Sequence, residues 1–352
     1  MYYLNENIEN LKRIFDQHKR EGYLRLDLNE NPVGLSQEFI DKVLKDVDPN
    51  FVSQYPETLE FTEKLAEYLN TDISHINLVN GSSEGIRNII EAYTSVNGKI
   101  LGVTPTYAMF EVYAKMYGRQ FIPIEYTDDL KMPVERILNA MTPDIQLLII
   151  VNPNNPVGNA YSNEEMELIV KKAKENNITI LVDEAYIYFY DNSFIDYALN
   201  NDHIFVTRTF SKLFSLAGCR LGYVVGWPKG IEMIQKLCTP HNVNAFAMKF
   251  AEAIMEEPGM VDSLIQKHKE GRELLIKWLE ENNYEFNALE GNFMFIKPKS
   301  DPDALVERMK SEKGILIKTY SGIGKLGKCL RVTTAEKVAM ERFIEAMQEL
   351  DK

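Results

Sequence analysis

Five short apolar runs, each ending in polar residues, constrain the fold of this chain more than any other feature. The runs span residues 76–79, 99–103, 147–151, 178–182 and 203–209, with helix-like segments between the first four, and a further strand-like run follows at 220–226. Apolar strands separated by amphipathic helices are typical of a mostly parallel sheet that is buried on both faces. Residues 45–235 are therefore predicted to form a large α/β domain.

The pattern changes after about residue 235. Helical patterns at 246–257 and 261–283 precede three strand-like segments, FMFIKP, GILIKT and KCLRVTT. This order predicts a smaller C-terminal α+β domain over residues 236–352. Residues 1–44 show no core of their own, so we expect an N-terminal arm and linker that packs on the small domain or on a partner subunit.

Composition excludes several classes of function. The formal net charge of −13 disfavours nucleic-acid binding, and any anionic ligand must be held by a local basic cluster. The apolar runs are too short to span a bilayer, and the polar amino terminus has no signal-like core. Three cysteines without a CxxC spacing favour neither a disulfide framework nor a metal site. We expect a cytoplasmic protein with no metal, nucleic-acid or membrane partner.

Polar residues at the ends of the apolar runs form one coherent set. In strand order they are Ser82 and Ser83, Tyr107, Asn155, Asp183 and Tyr186, and Ser211 and Lys212. Ligands of open α/β sheets bind outside the carboxyl ends of the strands. The set therefore predicts a single ligand site at one edge of the sheet.

Lys212 and Asp183 are the chemically informative members of this set. A lysine that forms a Schiff base must be reachable and partly deprotonated, and Lys212 follows a strand instead of standing on a solvated helix face. Asp183 closes an apolar run, where a carboxylate needs a cationic partner such as a protonated pyridine nitrogen. An ordinary surface lysine and a capping aspartate remain the alternatives for the two residues.

The other residues of the set suit the remaining parts of such a ligand. Ser82 and Ser83 lie where a strand turns into a helix, a place that favours a phosphate, although simple N-capping explains them almost as well. Arg220, Thr209 and Ser211 would complete the anion site.

Three residues are candidates for contacts with a ring. Asn155 and Tyr186 could donate hydrogen bonds to a ring oxygen, and Tyr107 could stack on the ring face. A turn residue in NPNNPVG and packed aromatics are the alternatives. The GxGxxG spacing in SGIGKLG leads into a strand-like segment, so we interpret it as a loop between strands, not a dinucleotide loop.

Several motifs resemble the fold-type I aminotransferases that depend on pyridoxal 5′-phosphate (PLP). These are NPNNPVG, VDEAY, RTFSKLFSLAGCRLGY and LRVTT, and the segments NENP, YPE, PTYAMF and HNVN resemble the histidinol-phosphate aminotransferase branch. The resemblance spans residues 26–334. It implies the PLP-dependent transferase fold of type I, with a mostly parallel central sheet in the large domain and a smaller C-terminal α+β domain. It also implies a homodimer with active sites at the subunit interface.

The resemblance also implies a role for each matching residue. Lys212 would carry PLP, Asp183 would hold the pyridine nitrogen, and Tyr107 would stack on the ring. Asn155 and Tyr186 would contact the phenolate oxygen. The residues implied at the cofactor phosphate are Ser82, Ser83, Thr209, Ser211 and Arg220, with Tyr55 of the other subunit. The residues implied at the substrate are Arg331, Lys318, Asn29 and His241.

The chain departs from the family pattern at four places. Ser83 replaces the usual Asp, Lys318 the usual Arg, His241 the usual Tyr, and the pair 334–335 reads Thr-Ala where Val-Gly is usual. Lysine keeps the charge of arginine but loses its bidentate fork. Most of these differences fall where the substrate, and not the cofactor, is expected.

The predicted function is a ping-pong transamination. An amino acid donor, with glutamate expected, would pass its amino group to a small phosphorylated ketone or aldehyde, of the three-carbon keto phosphate or imidazole acetol phosphate type. One alternative is a PLP-dependent decarboxylase that resembles threonine-phosphate decarboxylase. Another is the effector module of a transcription factor, for which the first 45 residues are too few and too acidic to supply a winged helix.

Overall fold

The computed structural model describes residues 2, 4–9, 11, 19–127 and 129–352. The strands are β1 Leu24–Arg25, β2 Ile76–Val79, β3 Lys99–Thr104, β4 Gln120–Glu125, β5 Ile145–Val151, β6 Thr179–Asp183, β7 Ile204–Thr209, β8 Gly222–Gly226, β9 Glu285–Asn287, β10 Phe293–Lys297, β11 Ile315–Leu316, β12 Lys318–Tyr320 and β13 Cys329–Thr333. The helices are α1 Glu6–Glu9, α2 Gln37–Leu44, α3 Pro49–Ser53, α4 Leu59–Tyr68, α5 Ser82–Tyr93, α6 Met109–Met116, α7 Val134–Ala140, α8 Asn163–Asn176, α9 Ile195–Asn200, α10 Pro228–Gln235, α11 Ala245–Glu256, α12 Met260–Glu281, α13 Pro302–Lys313 and α14 Lys337–Leu350.

The largest sheet has, within the described residues, the strand order β2-β8-β7-β6-β5-β3-β4. The pairs from β7 to β4 are parallel, while β8 runs antiparallel to both of its neighbours. Strand β2 therefore points in the same direction as β7. The carboxyl ends of β2, β3, β5, β6 and β7 all lie along one edge, and the predicted mostly parallel sheet is confirmed.

The uniform apolarity of the runs follows from burial on both faces. In β5, Leu148 and Ile150 pack into one hydrophobic core, while Leu147 and Ile149 on the opposite face pack into a second. Successive side chains of a strand point to opposite faces, so a sheet covered by helices on both sides needs apolar residues at every position.

Strand β4 is the element of this sheet that the sequence analysis did not predict. It pairs in parallel with β3 at the edge of the sheet, and several of its side chains are partly exposed. Pro123 lies within it, and proline is tolerated in an edge strand because the missing N–H removes no central hydrogen bond. The exposed polar positions and the proline made the sequence of this strand unlike a buried apolar run, so the pattern did not predict it.

The C-terminal region builds a separate core. Among the described residues, β12, β13, β10 and β9 form an antiparallel sheet in that order. Helix α12 connects the two cores, since Leu264 packs in the large one and Leu275 in the small one. The predicted boundaries at residues 45 and 235 stay a prediction.

The end of the N-terminal arm pairs with the C-terminal region. Strand β1 lies parallel to β11, with Leu24 opposite Ile315 and Arg25 opposite Leu316. Residues 1, 3, 10 and 12–18 of the predicted arm lie outside the described residues. In the part of the chain that the structure describes, no helix combines the length and the apolar character that a bilayer crossing requires.

Candidate active site

A cavity of about 440 Å³ opens at the carboxyl edge of the large sheet. Ends of the parallel strands form its floor, the arm covers it at Leu28 and Asn29, and β12 and β13 close it from the C-terminal side. The residues predicted for the site that line this cavity are Asn29, Ser82, Ser83, Tyr107, Asn155, Asp183, Tyr186, Thr209, Ser211, Lys212, Arg220, Lys318 and Arg331.

Lys212 follows β7 and extends into the cavity. Its Nζ donates a hydrogen bond to the carbonyl oxygen of Leu28, 3.1 Å away. Burial lowers the pKa of Lys212 to about 8, and the nearby positive charge of Arg331 acts in the same direction. A larger fraction of this amine is therefore neutral near pH 7 than for an ordinary lysine, as a nucleophilic amine requires.

Asp183 ends β6 with its carboxyl group buried beneath the cavity. One carboxyl oxygen accepts a hydrogen bond of 3.1 Å from the hydroxyl of Thr207. Burial raises the pKa of Asp183 to about 7. The ionised form is costly at this position unless a cation lies against it, and a protonated ring nitrogen would supply that charge.

Tyr186 is held by two amide groups. Both Asn29 Nδ2, at 2.9 Å, and Asn155 Nδ2, at 3.0 Å, donate to the tyrosine oxygen. Burial raises the pKa of Tyr186 to about 12, so the hydroxyl keeps its proton. Because the oxygen already accepts twice, its own proton is available to an acceptor in the cavity, such as a ring phenolate.

An anion cup forms where β2 turns into α5. Gly81, the N-cap of α5, has a φ of 73°, and a Cβ there would lie 2.4 Å from the Arg220 guanidinium. Arg220 Nη1 donates to Ser211 Oγ at 3.2 Å, and Thr209 Oγ1 donates to the same oxygen at 2.9 Å. Free N–H groups and the helix dipole at Ser82 favour an anion beside these donors.

The wall of the cavity between the cup and Asp183 is aromatic. Tyr107 lines the cavity, packs edge-on against Phe110 at 5.4 Å between ring centroids, and lies with its hydroxyl 3.5 Å from Ser83 Oγ. The half-buried ring of Tyr107 leaves a face for stacking.

Pyridoxal 5′-phosphate fits these groups one by one. Asp183 makes no ion pair with a described residue, the Tyr186 hydroxyl has a spare proton, and Gly81 lets the Arg220 guanidinium lie directly against the start of α5. PLP offers a basic ring nitrogen, a phenolate oxygen, a phosphate and an aldehyde for the amine of Lys212. The fold and the site thus define a PLP-dependent enzyme of fold type I.

Comparison with known proteins gives the family and the reaction class. The chain belongs to the aminotransferase class I and II family, whose sequence pattern matches residues 21–347. It is 31% identical over 343 residues to a histidinol-phosphate aminotransferase from Desulfitobacterium hafniense, covering 94% of this chain and 92% of the relative. The expected PLP-dependent aminotransferase is thereby confirmed, and the decarboxylase alternative is not favoured.

Solved structures agree with this assignment. The histidinol-phosphate aminotransferase from Clostridium acetobutylicum is 26% identical with a TM-score of 0.81, over 93% of this chain and 99% of that chain. The enzyme of the same name from Sinorhizobium meliloti, in complex with pyridoxal 5′-phosphate, is 21% identical with a TM-score of 0.83, over 93% and 90%. At that identity the second likeness supports the fold alone.

Two cations face each other at the mouth of the cavity. Lys318 on β12 and Arg331 on β13 are directly opposite in the antiparallel register, so both side chains lie on the same face. The guanidinium of Arg331 lies over the Phe293 ring and donates to Asn155 Oδ1 at 2.7 Å, while its buried Nε has no hydrogen-bond partner. Like charges directly opposite each other repel, so an anion bound beside both side chains would stabilise the pair.

Tyr55 and His241 do not line the cavity of their own chain. Their rings stack on each other with centroids 4.3 Å apart and planes 13° apart, and Tyr55 is 77% exposed. The structure therefore does not bring His241 to the substrate end within one subunit. The implied role of Tyr55 in a second subunit stays a prediction.

Some residues of the site were missed by the sequence analysis. Tyr320 lies two positions after Lys318 on β12 and lines the cavity, and Thr207 lies two positions before Thr209 on β7 and holds Asp183. The two-residue period of a strand could have identified both. Leu28 contributes its backbone carbonyl, for which its side chain gives no signal.

Proposed function

We propose that this aminotransferase transfers the amino group of an amino acid donor, L-glutamate, to a small phosphorylated ketone or aldehyde. The observation that carries the proposal is the pair of Lys318 and Arg331, opposed on neighbouring strands beside Lys212 and Tyr186. A ping-pong reaction must bind two acids in turn at one place. The same two cations can hold the carboxylate of the donor and the phosphate of the acceptor.

Different residues of the cavity have different roles in the proposed reaction. When bound, PLP supplies an electron sink that makes the proton on the substrate α-carbon removable. Asp183 would hold the protonated ring nitrogen, and Tyr186 would donate a hydrogen bond to the ring oxygen. Lys212, with its lowered pKa, would take the proton from the donor α-carbon and hold it for the return transfer.

The two cations are suited to different acids. The guanidinium of Arg331 offers a planar fork that matches a carboxylate, while the ammonium of Lys318 is a compact point charge that suits a phosphate in several orientations. The phosphorylated acceptor is further supported by relatives that are named histidinol-phosphate aminotransferases.

The proposal includes a cytoplasmic homodimer in which each site is completed by the other subunit. Val52 and Leu59, near Tyr55, are 64% and 60% exposed. The stacked rings of Tyr55 and His241 lie on the same surface. An isologous contact there would cover these apolar groups and carry both rings toward the partner.

A half-reaction assay tests the acceptor. The purified enzyme is loaded as its pyridoxamine phosphate form, and the return of the aldehyde-form absorbance is followed against a panel of ketones and aldehydes. We expect phosphorylated three-carbon and imidazole-type acceptors to react with the highest kcat/KM. Reaction with unphosphorylated keto acids only would contradict the proposed substrate class.

A further inference from the structure

A second, much smaller cavity adjoins Lys212. Its volume is about 20 Å³, and the residues around it include Asn31, Lys212, His268, Asn292 and Thr334. These come from the arm, the loop after β7, helix α12, the turn before β10 and the end of β13. A polar cavity of this volume holds one water molecule when two to four polar groups surround it.

Asn292 provides the strongest sign of a ligand. Its side chain is 2% exposed, and its Nδ2 donates to the carbonyl oxygen of Asn29 at 3.1 Å. That contact fixes the orientation of the amide, so the remaining atom is the oxygen. The Oδ1 is buried without a hydrogen-bond partner among the described residues, which is costly and is relieved by a bound donor.

The neighbouring groups indicate which ligand would fit. Three further polar side chains line the cavity, those of His268, Thr334 and Asn31. His268 Nε2 lies 2.8 Å from Thr334 Oγ1, and Asn31 Nδ2 donates to Ser215 Oγ at 2.8 Å. Burial lowers the pKa of His268 to about 3, and its ring is therefore neutral. Lys212 and Lys267 line the cavity together with Glu336, so its charges are of both signs, and the Asn292 oxygen disfavours an anion. A neutral hydrogen-bond donor therefore fits best.

We propose that this cavity binds a single water molecule, which donates to Asn292 Oδ1 and exchanges protons with the amine of Lys212. Lys212 lines both this cavity and the large one. Its Nζ bonds to the Leu28 carbonyl beside the large cavity, so the exchange takes place when the amine leaves that carbonyl. In the exchange the ammonium gives one proton to the water as the water returns another, and no bond other than N–H and O–H changes. The exchange role rests on the proposed transamination, whereas the water site does not.

The water site is tested by a high-resolution crystal structure of the wild-type holoenzyme. We expect density for one water within hydrogen-bond distance of Asn292 Oδ1. A dry cavity would overturn the proposal. The variants Asn292→Leu and Thr334→Val, each of which removes one polar group, should lose or displace that water in their own crystal structures.

The exchange role is tested by isotope washout. A donor amino acid deuterated at the α-carbon is converted in one half-reaction, and the deuterium lost to solvent is compared with the deuterium retained on the cofactor. We expect a loss of washout in the variants that lack the water and no change in Asn200→Leu, which alters an exposed asparagine at the end of α9.

The possible failures are distinguishable. Unchanged washout in a variant whose crystal structure lacks the water would overturn the exchange role. Absence of transamination with any donor would contradict the proposed function and the exchange role together, while the crystallographic density would still decide the water site.

Discussion

Burial acts on Asp183 and Lys212 in opposite directions, because it disfavours the charged form of each side chain. The pKa of the aspartate rises to about 7 and that of the lysine falls to about 8. When they face only protein, a larger fraction of each side chain is therefore uncharged near pH 7 than in water. A ligand that brings a protonated ring nitrogen to Asp183 favours the ionised carboxylate and forms an ion pair with it. That ion pair offsets the free-energy cost of burying the carboxylate.

The raised pKa of Asp183 makes the cofactor-free enzyme less stable as pH rises. The unfolded state loses this proton near pH 3.8 and the folded state near 7, so stability is lost between those values. The difference of about 3 units corresponds to at most about 4 kcal/mol. In urea unfolding at several pH values, cofactor-free Asp183→Asn should lack this decline and should bind PLP more weakly. Parallel pH profiles for the two proteins would contradict the assigned environment.

Gly81 should be sensitive to a single methyl group. The added Cβ would lie 2.4 Å from the Arg220 guanidinium, and the φ of 73° is unfavourable for alanine. We expect Gly81→Ala to weaken PLP binding roughly tenfold or more in an absorbance titration, a loss of about 1.4 kcal/mol. Gly22→Ala is the matched control, because Gly22 has a φ of 81° and nothing lies within 4 Å of its added Cβ. Equal affinities for both variants would refute the anion cup.

At the scale of elements, the central strands could be predicted because each is buried on both faces. The middle of β5, the middle of β6 and the first half of β7 are apolar on both faces, and the polar residues that follow mark the site. Strand β4 has an exposed side and gives no such signal. The rule therefore identifies the middle of the sheet and fails at its edge.

The residues at the strand ends could be placed from the sequence, while the contacts across domains could not. Asp183 and Lys212 follow their own strands, so local sequence places them. Asn29 bonds to Tyr186, and Asn292 bonds to Asn29, across 157 and 263 positions. His241 illustrates the same limit, because its stacking on Tyr55 depends on folding and not on spacing.

The proposed substrate class depends on two opposed cations of neighbouring strands, Lys318 on β12 and Arg331 on β13. Loss of the Lys318 charge should raise KM for the phosphorylated acceptor by roughly ten- to a hundredfold, since a charge-assisted contact is lost, and should change KM for the donor less. Steady-state kinetics of Lys318→Met measure both. Lys325→Met removes an exposed charge from the loop after β12 and serves as the control. Equal losses for donor and acceptor would argue against a phosphate role for Lys318.

At the scale of the whole molecule, the arm joins the two domains above the reactive lysine. The Leu28 carbonyl accepts from Lys212, and Asn29 accepts at its carbonyl from Asn292 and donates from its backbone N–H to Thr333. Both domains thus hold the arm in place, and the arm in turn orients Tyr186. A shift of the small domain would move all three contacts at once.

Shared active sites can be tested by mixing two inactive variants. Lys212→Ala lacks the reactive amine, and Tyr55→Ala lacks the residue expected from the partner. A mixed dimer would contain one intact site, so random reassociation of equal amounts should restore about one quarter of wild-type activity, as expected for a symmetric dimer. No recovery, with mixed dimers demonstrated by mass, would place Tyr55 outside the partner's site.

The central claim is that Lys212 carries the cofactor, and peptide mapping tests it most directly. The wild-type holoenzyme is reduced with borohydride, which fixes PLP to the amine that binds it, and is then digested and analysed by mass spectrometry. We expect the cofactor mass on the peptide that contains Lys212, and neither that mass nor turnover in Lys212→Ala. Reduced cofactor on a different lysine, or turnover that survives in Lys212→Ala, would contradict the account.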